Sequence, residues 1–164
     1  MKIALAFLLC MGAIIGYAYS VNAPARSLIP SAFIGACSYF LYLGILKLAP
    51  GGELVSSFVS SFFVGIASEY FSRKFQMPAT IFTIPGLIVL VPGGGMYYTM
   101  TYLIDGEMNL FLSQGVNTFF IAVALSIGVT VSTIFSRSLR NVRNRTRSKL
   151  NLFLVWKSRE RTKK

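Results

Sequence analysis

Between Met77 and Ile104 the chain reads MPATIFTIPGLIVLVPGGGMYYTMTYLI, twenty-eight residues without a charge, and what this stretch can offer chemically is its own backbone. Pro85 and Pro92 each remove a backbone donor and crowd the preceding turn. Gly86 and the run Gly93, Gly94, Gly95 permit local unwinding. The stretch is apolar enough to enter a bilayer, where non-helical backbone persists only beside protein or a water-filled cavity. The pattern therefore predicts a discontinuous helix next to a solvated site. Carbonyls of residues 88–91 would be freed to receive an ammonium group. A half-helix starting near Met96 would aim its amides, with those of Gly93 to Gly95, at a carboxylate towards the middle of the membrane. Tyr97, Tyr98, Thr99 and Thr101 would add hydroxyls. The competing expectation is a proline-kinked helix with packing glycines.

A second constellation precedes it. Glu53, Ser57, Ser61, Gly65 and Glu69 recur every four residues, and from Ser57 to Glu69 the series stays on one helical face. A carboxylate facing a bundle interior must be solvated or paired, which makes Glu69 a candidate for proton coupling or for binding a substrate amine. Arg73, four residues later, offers the plainer reading of a helix-end ion pair, and the proximity of the helix end favours that reading. Glu53, at the opposite end, reads as interfacial. With no histidine and only five acidic residues, the His-based metal sites and the Ser/His/Asp and Cys/His arrangements are excluded. Cys10 and Cys37 sit in apolar runs as packing residues, not as a disulfide framework. Neither an enzyme nor a cofactor is expected.

The elements that must hold these residues are membrane helices. A chain of 164 residues that is 54% hydrophobic and 13% charged belongs in a bilayer. Ile3 to Val21 is an apolar run whose Ala18-Tyr19-Ser20 imitates a cleavage site, but its length and the bulky Ile14, Ile15 and Tyr17 favour a retained span. Gly12, Gly16 and Ser20 lie on one face of it. Residues 22–30, with Pro24 and Pro30, read as a short connection, residues 31–49 as the second span, Pro50-Gly51-Gly52 as a turn, and residues 53–71 as the third. The broken fourth follows, then the acidic turn Asp105 to Glu107, then a fifth span over residues 110–135. The last carries its own small-residue stripe, Ala124, Gly128, Ser132 and Ser136, and Asn117 near the same face, suited to bonding another helix. The expected fold is thus all-α and integral to the membrane, with five transmembrane helices, the fourth discontinuous at Pro85-Gly86 and Pro92-Gly95.

Residues 1–136 form this domain and residues 137–164 a basic tail. Eleven of the sixteen Lys and Arg residues lie in that tail. Positive flanks stay in the cytoplasm, so the tail, Arg26 and Arg73/Lys74 are expected inside, and the acidic turn and the N-terminus outside. The location that follows is a multi-pass protein of the cell membrane. The tail, with Leu150 to Trp156 as an interfacial patch, suits anionic lipids better than nucleic acid because of where it lies.

Met77-Pro78-Ala79, Ile84-Pro85-Gly86 and Leu90-Val91-Pro92-Gly93, with Tyr97 and Met100 following, resemble the signature of the threonine/serine exporter family. Residues 1–137 resemble, in length and span pattern, the short subunit of its split form, the purely membrane C-terminal half of the fused transporter. The specific part is residues 77–100. The resemblance implies export of small polar metabolites, threonine and serine or a dicarboxylate such as succinate. It also implies a second membrane subunit resembling the N-terminal half, and leaves room for a higher oligomer. The substrate-path candidates are then Pro85, Gly86, Pro92, Gly93, Gly94, Gly95, Tyr97 and Tyr98, with Glu69 as the coupling candidate. The alternative is a membrane scaffold or assembly protein without a transport site of its own.

Overall fold

The computed structural model describes residues 2–48 and 52–161, with side chains described at 5–48, 52–136 and 138. Within them the chain is helical: α1 Lys2–Ser20, α2 Ala25–Leu48, α3 Glu53–Phe75, α4 Thr80–Leu87, α5 Gly93–Ile104 and α6 Met108–Arg161. Three stretches, Ala25–Leu48, Glu53–Phe75 and Met108–Ser136, are long and apolar enough to cross a membrane, and Leu5–Ser20 is a shorter apolar helix.

Three reversals share one design. After α1 the Asn22 amide bonds the Tyr19 carbonyl and the Ala23 amide reaches Ala18, with Asn22 in the left-handed region at φ 54°. After α3, Gln76 takes φ 54° and the Met77 amide reaches Ser72. After α5, Gly106 takes φ 78° and the Glu107 amide reaches Tyr102. In each case a left-handed residue closes the last turn and satisfies the helix's final carbonyls. The expected acidic turn is the third of these. Of the Pro50-Gly51-Gly52 turn, Pro50 and Gly51 lie outside the described residues; Gly52 caps α3.

Two prolines stand inside helices where breaks were expected. Helix α2 begins at Ala25, so Pro30 is in its second turn and not in a connection. The donor it removes is missing near an exposed helix end, beside Arg26, where water can serve the freed carbonyl. Pro85 lies inside α4, discussed below.

The register follows from contacts between helices. Phe7 packs on Phe33 and Phe40, and with only a short turn between them α1 and α2 are antiparallel. Ser31 meets Ile81 and Gly35 meets Gly86, so α2 and α4 run the same way. Helix α3 is parallel to α6: Glu53 meets Asn117, Ser61 meets Gly128, Gly65 meets Ser132, and Arg73 meets Ser136. The two small-residue stripes read from sequence are therefore the two sides of one seam. A Cβ on Gly65 would collide with the Ser132 side chain, and one on Gly128 would sit 2.6 Å from the Phe58 carbonyl oxygen. The stripe of α1 behaves differently: a methyl group added to Gly12 or Gly16 would meet no described atom within 4 Å, and Ile14 and Ala18 are the buried residues instead.

The core draws single residues from many elements: Ile34 of α2, Val64 of α3, Phe82 of α4, Leu125 of α6, and Leu90 from the link between α4 and α5. Beside it lie fully buried serines, among them Ser27, Ser31, Ser38, Ser56, Ser60 and Ser61. Small polar residues let helices approach closely, and several of their hydroxyls bond backbone carbonyls, as Ser38 does to Gly35 and Ser61 to Phe58, whereas the buried hydroxyls of Ser60 and Ser68 have no partner among the described residues.

Candidate functional site

The expected discontinuity exists at residues 88–92: Pro92 falls within it, whereas Pro85 and Gly86 lie inside α4 and Gly93 to Gly95 inside α5. Helix α4 runs through Pro85 and Gly86 and ends at Leu87. Helix α5 begins at Gly93, so the three glycines form its first turn and Pro92 its N-cap, at φ −76° and ψ 57°. Pro85 lacks the amide that would bond Ile81, and the Ser31 hydroxyl of α2 donates to that carbonyl instead, at 3.4 Å. A side chain from a neighbouring helix thus satisfies the freed backbone group, which lets the proline stay helical. Gly86 is buried against Val64, Ile34 and the backbone of Gly35. Pro85 is fully buried as well.

The link itself is sparsely bonded. The Leu90 amide reaches Leu87 and the Gly93 amide reaches Val91 at 2.7 Å, but no described residue donates to the carbonyls of Ile88, Val89 or Leu90. At the head of α5 the Met96 amide returns to Pro92, while the amides of Gly94 and Gly95 make no backbone bond among the described residues. Acceptors and donors are therefore left open within one short stretch, anchored by the buried Leu90.

The two half-helices part company at this link. Among the described residues, α4 packs on α1, α2 and α3, whereas α5 touches only α6. Gly95 lies against Thr118 and Gly115 against Thr99, so the head of α5 is level with Thr118 and, through the neighbouring Asn117, with the first turn of α3, nearer the end of the bundle than the mid-membrane position expected. Gly93 and Gly94 face open space. Tyr97 and Tyr98 are 68% and 55% exposed, their rings edge-to-face at 5.5 Å. The hydroxyls of Thr99 and Thr101 donate to Gly95 and Tyr97 of their own helix, so they are not free donors. No residue of α5 is buried.

Glu69 stands apart from this group. Its carboxylate accepts from the Arg73 guanidinium at 3.2 Å, and Arg73 also donates to the Ser136 carbonyl at 3.0 Å, tying α3 to α6. The pair is the helix-end arrangement that the spacing of Glu69 and Arg73 favours, with Glu69 14% and Arg73 37% exposed. Glu53 is more than interfacial: its carboxylate accepts from the Asn117 amide at 3.1 Å and ties the other end of the same seam. Its place as first member of the four-residue series was the signal for that role. No group of three or more His, Cys, Asp or Glu side chains gathers among the described residues. The tail's side chains, on which the lipid expectation rests, lie outside the described residues, although the α6 backbone continues unbroken to Arg161.

A family model described as Threonine/Serine exporter, ThrE, matches residues 6–135, and so takes in most of α1, all of α2 to α5 and α6 to one residue short of Ser136. No curated protein and no solved structure matches the chain.

Proposed function

The chain belongs to the threonine/serine exporter family, a family of membrane exporters, and from that premise we propose that it is the membrane subunit through which small polar metabolites pass at the α4–α5 link. The observation that carries the proposal is the set of unbonded carbonyls at Ile88 to Leu90 beside the unbonded amides of Gly94 and Gly95. In hydrocarbon such groups must be met by protein or by water, and a solute bearing both ammonium and carboxylate groups complements both kinds. Pro85, Gly86 and Pro92 hold the frame, Gly93 to Gly95 supply the amides, and Tyr97 and Tyr98 line the open side.

Five crossings fit this reading, with α4 and α5 together making the fourth. The parallel run of α3 and α6 supports that count, since the chain must return across the layer between them. Arg26, Arg73 and Lys74 fall at one end with the start of the basic tail, and Glu53, Asp105 and Glu107 at the other, where Lys2 and Lys47 dissent; the weight of the tail supports a cytoplasmic C-terminus. The open face of α5 and the open Gly12/Gly16 face of α1 are where a second membrane subunit, resembling the N-terminal half of the fused exporter, would pack. Threonine and serine are the substrates we favour, with a dicarboxylate as the alternative. Glu69, the candidate for proton coupling, is paired with Arg73, which favours a structural role for it, and the basic tail would rest on anionic lipid.

The test is a double replacement, Gly93→Ala with Gly94→Ala. Gly93 and Gly94 are already helical and both methyl groups would enter open space, so insertion and assembly should survive, while the methyl groups crowd the space in front of the amides that a bound carboxylate would occupy. Threonine export per assembled complex should fall at least several-fold. An unchanged ratio would remove the glycine run from the substrate path and favour a scaffold without a transport site.

A further inference from the structure

One cavity lies away from the link, at the end of the bundle that carries Arg26, Arg73 and Lys74. It is an open cleft of about 480 Å³ between the end of α1 with the turn that follows it and α4. That volume falls within the ~300–1,000 Å³ common for small-ligand sites. Its lining is mostly apolar, with the half-exposed Ile84 and the buried Pro85 on the α4 side, and its polar members are Tyr17, Asn22 and Thr80.

Two features of this lining are informative. The first is Thr80. The other threonines with described side chains, Thr83, Thr99, Thr101, Thr118, Thr130 and Thr133, commit their hydroxyls to the carbonyl four residues earlier. Thr80 opens its helix and has no such carbonyl in reach, so its hydroxyl makes no bond to a described residue and stays available in the lining. The second feature is charge: the lining holds no Asp, Glu, Lys or Arg. A ligand with net charge, such as a dicarboxylate, would lose water there without meeting a counter-charge, whereas a zwitterion carries its own and needs only dipoles around it.

We propose that this cleft is the loading site for a small net-neutral zwitterionic amino acid, whose charged end meets Asn22, Thr80 and Tyr17 and whose side chain rests on Ile84 and Pro85. The inference depends on the export reading above and adds to it a second site and a basis for choosing among substrates. Helix α4 joins the two places: Ile84 and Pro85 wall the cleft, and one residue past its last turn the unbonded carbonyls begin.

The experiment uses the chain with its second subunit, in inside-out membrane vesicles, with Cys10 and Cys37 replaced by alanine and a single thiol introduced by Ile84→Cys. Ile84 is 54% exposed, so a maleimide should reach that thiol. Threonine or serine at ten times its dissociation constant should slow labelling about tenfold, and succinate should leave the rate unchanged. In parallel, Ala23→Trp, which puts an indole into the cleft from its lining, should abolish threonine export per assembled complex. If the wild-type complex exports threonine but labelling ignores it, the cleft is not the loading site and the export reading stands. If succinate protects as well as threonine, the argument from the uncharged lining is overturned. If the wild-type complex exports no threonine, the export reading fails, and protection of Ile84→Cys by threonine still decides the cleft as a binding site.

Discussion

Pro85 shows how one side chain can decide whether a proline breaks a helix. With the Ser31 hydroxyl on the Ile81 carbonyl, no acceptor is stranded and α4 continues to Leu87. Ser31→Ala should therefore destabilise the protein by about 0.5–1.5 kcal/mol, measured as thermal unfolding in detergent. In a Pro85→Ala background the returning amide takes the carbonyl back, and the same serine replacement should become nearly neutral; an equal loss in both backgrounds would mean Ser31 acts by packing alone. Glu69 yields to similar reasoning. Because Arg73 holds it at a partly exposed helix end, Glu69→Gln should change export, and its dependence on external pH, by less than about twofold, in line with the small value of such pairs. A lost pH response would instead establish Glu69 as the coupling group.

Among the elements, the α3–α6 seam was the most legible, because its partners are chemically alike and recur every four residues. The Ser57/Ser61/Gly65 and Gly128/Ser132/Ser136 series announce close approach, and each finds its complement in the other. Asn117 was legible for the same reason, an amide on an otherwise apolar face having to bond across helices. What the spacing could not locate was the position of the break. Proline removes a donor wherever it stands, but whether the helix survives depends on a hydroxyl fifty residues away in sequence, and that is a tertiary fact. The head of α5 was misplaced for a related reason, since glycines that permit unwinding also fit a helix's first turn, where amides need no partner within the helix. The seam gives an asymmetric prediction. Gly128→Ala meets backbone as well as the Ser61 side chain and should cost about 1–3 kcal/mol. Gly65→Ala meets only the Ser132 side chain at collision distance, so Ser132→Gly should restore most of its stability; failure of that rescue would place the strain elsewhere.

For the whole molecule, the alternation of the helices and the split of charge between its ends make one arrangement in the membrane. A cysteine in place of Glu107 should react with an impermeant reagent from outside the cell, and one in place of Ser148 only after the membrane is opened. Glu107 is a better probe than Gly106, whose φ of 78° a cysteine would strain. Labelling of both from one side would make residues 77–104 re-entrant and leave four crossings. The parallel seam also bears on how the protein is made. Helices adjacent in sequence can enter the bilayer as antiparallel pairs, but α3 has to wait for α6, and sixty-one residues separate Phe75 from Ser136. At ~5–20 residues per second that is a wait of roughly 3 to 12 s. Throughout it the serine-rich flank of α3 has no permanent neighbour, so a ribosome stalled before residue 108 leaves a polar groove facing lipid, and clearance of the nascent chain becomes a matter of how long the insertion machinery keeps hold of that one helix.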